Sequence, residues 1–260
     1  MKLERRYVEK PWGRTQLPPM FEAPAGKRIG EVWFTNGADL PLLAKYIFTS
    51  ERLSIQVHPN DEQARARGLR QGKSECWYIL DADPGATLGL GLKRQVGKDE
   101  LRQAALDGAI EELMDWRPVT AGDFVFVPSG TVHAIGAGIS LLEFQQNSDV
   151  TYRLYDYGRP RELHLDDGIA VSDAAPFPND FIQHLSGAEQ RTLVDGPHFT
   201  LVLTNADELQ DRLRWVIPLD GEIRSGGITE RAGDCLLLQA NERLDGSGAR
   251  MLIGATAGRS

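Results

Sequence analysis

Apolar and polar residues alternate over short stretches along most of the chain, and Gly and Pro turns cut the stretches apart. This two-residue period, rich in Val, Ile, Phe, Tyr and Trp, predicts strands near 30–35, 42–48, 52–58, 74–80, 87–92, 123–128 and 139–146. Further strands are expected near 150–157, 199–205, 214–219 and 234–238. Helical periodicity is sparse. The segment 60–66 reads as a short capped helix after His58. The segment 98–116 reads as the longest helix, with Leu101, Ala104, Ala105, Leu106, Ile110, Leu113 and Met114 as the stripe that packs on a sheet. Many short strands and few helices predict a mainly β protein built as a barrel or sandwich. The pattern is interrupted near 165–179 by Asp166-Asp167-Gly168 and Pro176-Phe177-Pro178-Asn179. We therefore expect a first β unit over 1–165 that carries the chemistry and a smaller one over 166–260.

Composition narrows the function classes. The chain has 260 residues, 41% hydrophobic and 25% charged, which is ordinary for a globular protein with a real core. Acidic residues outnumber basic ones 37 to 29 and no basic run occurs, so neither nucleic acid nor an anionic membrane is the expected partner. A small anionic substrate stays compatible with this balance, because a few local cations outweigh the global charge at short range. The first residues carry no apolar signal segment, and nowhere do about 18 apolar residues run together. Cys76 and Cys235 are far apart and form no CxxC pair, which argues against disulfides or a thiolate metal site and fits the cytoplasm.

Three segments hold candidate chemistry. In Leu53–Pro59, Ser54, Gln56 and His58 share one strand face while Ile55 and Val57 share the other. A half-exposed strand would show the same alternation. In the second segment Lys73 and Glu75 leave one face together, which taken alone reads better as a solvated charge pair than as a site. The third runs from Gly122 to His133 and fits G-x5-P-x-G-x2-H, with Pro128, Gly130 and His133 at the fixed places. That pattern is the second motif of the cupins and implies a jelly-roll, or double-stranded β-helix, barrel. Together the segments supply Gln56, His58, Glu75 and His133 as a ligand shell. Two imidazoles, a carboxylate and an amide oxygen suit one Zn²⁺ per chain, and this donor set leaves Fe²⁺ and Mn²⁺ open.

The shell departs from the general cupin pattern. Gln56-Val57-His58 replaces H-x-H, the carboxylate follows His58 by 17 residues, and Ala137 stands where Asn is usual. These departures resemble the type I phosphomannose isomerases of the short bacterial branch. Their landmarks read here as Lys10-Pro11-Trp12-Gly13, Ile29-Gly30-Glu31-Val32-Trp33, Pro41-Leu42-Leu43-Ala44-Lys45, Gly72-Lys73-Ser74-Glu75 and Glu143 through Asp156. The resemblance covers roughly residues 7–165.

The resemblance implies an aldose–ketose isomerase that interconverts mannose 6-phosphate and fructose 6-phosphate through a cis-enediol. It implies zinc on Gln56, His58, Glu75 and His133, with Lys73 as acid/base and Arg153 as the cation for oxyanion charge. It further implies phosphate contacts from Ser54, Lys45 and Arg159, the last standing where longer members have Lys. The plainer reading of Arg153 is an ion-pair partner of Asp149 or Asp156, and the catalytic reading is preferred to it. Two other readings remain: a metal-dependent cupin enzyme for another sugar, and a non-catalytic sugar-phosphate sensor. Residues 233–240 echo 122–129 without the His, so the second unit is expected to be a degenerate cupin lacking a metal site. The expected partner is a small sugar phosphate, and the expected assembly a monomer or homodimer.

Overall fold

An eight-residue strand with no exposed residue organises the molecule. Ile139–Gln146 alternates two sets of buried side chains, Ile139, Leu141 and Glu143 on one face and Leu142 and Phe144 on the other. Such a strand must be covered on both sides, and the rest of the chain supplies the covers. The computed structural model describes residues 1–185, 190–246 and 248–258.

In chain order the first part comprises β1 (Glu4–Arg14), β2 (Ile29–Thr35), β3 (Leu42–Phe48), β4 (Ile55–Val57), α1 (Asp61–Arg65), β5 (Glu75–Ala82) and β6 (Thr87–Leu92). There follow α2 (Lys98–Asp107), α3 (Ile110–Leu113), β7 (Met114–Pro118), β8 (Asp123–Val127), β9 (His133–Ile135), β10 (Ile139–Gln146), β11 (Tyr152–Tyr155) and α4 (Leu165–Val171). The chain continues with β12 (Ile182–His184), β13 (Arg191–Asp195), β14 (Phe199–Thr204), β15 (Arg214–Asp220), β16 (Glu222–Ser225), β17 (Ile228–Arg231), β18 (Leu236–Leu238) and β19 (Arg250–Thr256).

All strand pairs are antiparallel. A seven-stranded sheet runs β1-β2-β3-β10-β5-β8-β12, and a five-stranded sheet runs β11-β4-β9-β6-β7. Ile47, Trp77, Ile79 and Leu141 of the first meet Leu88, Leu90 and Ile135 of the second in a shared core. The helices cover the outer face of the five-stranded sheet, where Leu101, Ala105 and Ile110 pack on Ile55, Val57 and Leu154. A third sheet, β13-β14-β19-β15-β18, covers the opposite face of the seven-stranded sheet. There Phe144 meets Phe199 and Trp215 edge-on, with ring centroids 5.4 and 6.1 Å apart. A Cβ on Gly254 would lie 2.3 Å from the Phe144 ring, so this layer closes only over glycine.

Two sequence expectations change. The expected barrel is a set of open, facing sheets: the strands that face each other belong to different hydrogen-bonded ladders. The expected helix over 98–116 stops at Gly108, which takes the left-handed conformation at φ 86°. Beyond the short α3, Trp116 sits in β7 opposite Gly89, while Leu106 of the predicted stripe is 60% exposed. The short helix after His58 forms as the sequence suggests, with Asn60 and Gln63 closing a reciprocal capping box. Both cysteines are free and buried. Among the described residues no helix is long and apolar enough to cross a membrane.

Candidate metal centre and its cavity

The polar face of 53–59 points inward. Ile55 and Val57 go to the core under the helices, which turns Ser54, Gln56 and His58 toward the seven-stranded sheet. The register then assembles the rest. Arg153 of β11 and His133 of β9 are the cross-strand partners of Gln56, so three strands bring these residues into one row. On the facing sheet, Lys45, Glu143 and Trp77 form a second row, with Glu75 one pleat away beside Gln145. His133 reaches its place through the turn after β8. Gly130 takes φ 90° there, its N–H donates to His58 O at 2.8 Å, and a Cβ would strike the Asp173 carboxylate.

Within this frame His58, Glu75 and His133 offer ligand atoms that all lie within 4.8 Å of one another, and all three are buried. His58 Nδ1 donates to Val150 O at 2.8 Å and His133 Nδ1 to Thr131 O at 2.9 Å. Those carbonyls fix the tautomer that leaves each Nε2 unprotonated and able to act as a ligand. Both lone pairs face Glu75, His58 Nε2 at 3.6 Å from Oε2 and His133 Nε2 at 3.3 Å from Oε1. Burial, then the charge of Lys73, pushes the His58 pKa well below its usual range. Burial pushes that of His133 down to about 4. Two neutral imidazoles and a carboxylate form a set of acceptors suited to a cation, and the Lys73 ammonium stands at its edge. Glu75 Oε2 supports this fit: it is buried with no well-aligned donor, the Lys73 ammonium lying 2.6 Å away but off axis. The Gln56 amide touches His133 Nε2 at 3.3 Å through its nitrogen and receives Ser54 Oγ–H on its oxygen at 3.2 Å. A half-turn of the amide plane brings the oxygen to the centre as a fourth donor.

A polar cavity of about 230 Å³ opens beside the centre, lined among others by Lys45, Ser54, Gln56, Lys73, Glu75 and Arg153. Lys73 Nζ reaches His58 Nε2 at 3.1 Å as well as Glu75. The structure thus brings six of the candidates from the sequence to this cavity, and His58 and His133 join them at its metal end. Lys45 arrives with its charge engaged, its ammonium lying 3.0 Å from Glu143 and 4.0 Å from Glu31. Burial works against that charge, but Glu143, Glu31 and Glu75 raise the ammonium above its ordinary range. Glu143 is itself raised, by burial and then by Glu75.

Arg159 is placed elsewhere. Its guanidinium donates to Arg52 O at 2.7 Å, pairs with Asp156 at 3.0 Å and lies over the Tyr157 ring, beside a separate surface pocket. Arg161 lines the cavity instead. Lys10, Glu31, Glu143 and Arg161 are lining residues to which the sequence assigned no role. For Glu143 a signal existed: a lone charge inside the otherwise apolar run of β10. Trp12 is buried and also forms cavity wall.

With this geometry in hand, comparison with known proteins is informative. No protein-family model matches the chain. It is 44% identical over 169 residues to the mannose-6-phosphate isomerase of Streptococcus mutans, covering 62% of this chain and 53% of that protein. It is 43% identical over 176 residues to mannose-6-phosphate isomerase ManA of Bacillus subtilis, covering 64% and 56%. The chain is a homologue of the mannose-6-phosphate isomerases. In sequence it spans about half the length of these curated relatives. In structure it superposes on the mannose 6-phosphate isomerase of B. subtilis with a TM-score of 0.80 and 28% identity, over 97% of this chain and 98% of that one. A putative mannosephosphate isomerase from Archaeoglobus fulgidus shares the fold at a TM-score of 0.78 and 15% identity. This is the cupin fold of the phosphomannose isomerases, mainly β, with His58, Glu75 and His133 able to hold a metal ion.

Proposed function

We propose that this chain interconverts mannose 6-phosphate and fructose 6-phosphate, moving a proton between C1 and C2 through a cis-enediol. One observation carries the reading: a buried His–Glu–His set that a cation completes shares a polar cavity with a lysine and an arginine, in a chain with 40–44% identical relatives named for this reaction. One Zn²⁺ on Gln56, His58, Glu75 and His133 would supply Lewis-acid polarisation of the C1 and C2 oxygens.

The side chains divide the remaining work. Lys73, buried and held between Glu75 and His58, is placed to carry a proton to or from a carbon poised in the cavity. Arg153 projects from the Gln56 row and donates Nη1–H to Glu162 O at 2.7 Å. That contact steadies the guanidinium so that its other N–H groups can face an oxygen gaining negative charge. Ser54 holds the Gln56 amide. The cavity lies between two sheets whose outer faces are both covered, which holds its walls in place. In this reading residues 166–260 form a smaller cupin-like unit whose task is to cover the sheet behind the site.

A coupled assay of mannose 6-phosphate conversion, before chelation, after it and after zinc restoration, tests the proposal. Turnover is expected to vanish on chelation and return with zinc. Protein carrying one zinc per chain that turns over neither sugar phosphate would refute the reaction, and retained phosphate-dependent binding would then favour the sensor.

A further inference from the structure

We propose that Arg161, oriented by Asp156 and acting beside Arg153, grips the phosphoryl group of the substrate. This rests on the reading above that the substrate is a sugar phosphate, and it assigns the anion-binding pole of the cavity to a residue two positions beyond the one the family pattern indicates.

The cations around the cavity are not equivalent. Those on the seven-stranded sheet and its approach form a network with carboxylates: Lys10 with Glu31 at 3.5 Å, Lys45 with Glu143 at 3.0 Å and Lys73 with Glu75 at 2.6 Å and Glu143 at 3.6 Å. A dianion entering there would have to displace a buried partner. At the other end the guanidinium of Arg161 is built in. Its Nε donates to Asp156 Oδ2 at 2.6 Å and its Nη2 to Oδ1 at 2.7 Å, a fork-to-fork pair with a carboxylate that is only 2% exposed. This pair fixes the plane of the guanidinium and uses two of its five N–H groups, leaving Nη1 and one Nη2 hydrogen for another acceptor.

Arg153 supplies the second cation. Its Nε is buried with no hydrogen-bond partner among the described residues, and it lines the same cavity. The two guanidiniums thus share the lining of one cavity. Like charges in a partly buried site cost free energy unless an anion joins them, and a phosphate dianion with three acceptor oxygens suits two planar forks. Asp149 also lines the cavity, so a ligand at this pole meets one carboxylate as well.

Chain geometry explains why position 161 and not 159 faces inward. Tyr157 and Gly158 both adopt positive φ, 54° and 78°, which turns the strand end back on itself. Arg159 N–H then closes on Asp156 O at 3.0 Å, and Arg161 N–H on Arg159 O at 2.8 Å. The turn sends the Arg159 side chain out over Tyr157 and returns the next cation to the carboxylate it shares.

The test measures inorganic phosphate binding by calorimetry together with steady-state kinetics, on zinc-loaded wild type, R161Q, R161K, R159Q and D156N whose folding is checked by circular dichroism. R161Q is expected to weaken inorganic phosphate and raise KM for mannose 6-phosphate about 10- to 100-fold, the loss of charge-assisted hydrogen bonds, with kcat changed far less. R161K, which keeps the charge without the fork, and D156N, which frees the fork, are expected to fall between R161Q and wild type. Slow turnover of unphosphorylated mannose should not follow the KM change, a split that a merely structural defect would not produce. Wild type that binds phosphate through Arg161 yet isomerises neither sugar phosphate would refute the reaction and leave this assignment standing. Unchanged KM and phosphate affinity in folded R161Q, or a loss confined to R159Q, would overturn the assignment while the reaction stood.

Discussion

Lys45 illustrates how the structure turns a residue type into a prediction. The resemblance implies a phosphate contact, whereas the geometry presents a buried ion-pair cation, 5% exposed, with Glu143 at 3.0 Å and Glu31 at 4.0 Å. Two unit charges 3 Å apart interact by about 5–6 kcal/mol at an effective dielectric of about 20. Removing Lys45 leaves Glu143 buried with only Lys73, 3.6 Å away and already paired with Glu75, to offset its charge, and the loss in comparable sites is about 3–5 kcal/mol. K45M should therefore destabilise the fold by about 3–5 kcal/mol and lower Tm by roughly 10 °C for a chain of this size. E143Q in the K45M background should restore about half of that, because it removes the stranded charge while keeping the shape of the side chain. Urea unfolding of wild type, both single variants and the double variant completes the cycle. A K45M penalty below about 1 kcal/mol, or no recovery in the double variant, would refute the reasoning. Lys45 would then be a cation free to serve a ligand.

Two further outcomes are expected. R153K should keep the charge but lose the planar donors, lowering kcat about 10²–10³-fold in the mannose 6-phosphate assay and raising KM as well, because the same guanidinium stands beside Arg161 at the phosphate pole; an unchanged kcat would place Arg153 in binding and not in chemistry. G254A should cost about 1–3 kcal/mol in urea unfolding, because its Cβ would meet the Phe144 ring at 2.3 Å in a layer already closed by Phe199 and Trp215. An unchanged midpoint there would mean that the third sheet is free to shift away from the sheet behind the site.

The strands were legible because their signal is local. A two-residue period needs only the side chains of one segment, and the turn that presents His133 is written in consecutive residues through Pro128 and Gly130. The longest helix was misread because its apolar stripe continues past Gly108, where a left-handed residue ends the helix and the same hydrophobicity serves β7. Leu106 looked like core and is exposed.

His58, Glu75 and His133 were nominated as a metal centre through the motif that ends at His133 and the family resemblance, because alone the segments of His58 and Glu75 read as a half-exposed strand and a solvated charge pair. Only the tertiary structure decided which way each side chain points. Whether Gln56 and His58 face solvent or the cavity is settled by what covers Ile55 and Val57 on the other side, and those helices lie 40 or more residues further along the chain. Whether Lys45 is free or paired depends on β10, about a hundred residues away, lying beside β3. Whether position 159 or 161 enters the cavity turns on two positive-φ residues that no spacing rule registers. Sequence specifies the chemistry available and its local frame; cross-strand register and layer packing, which couple distant segments, select which charges meet.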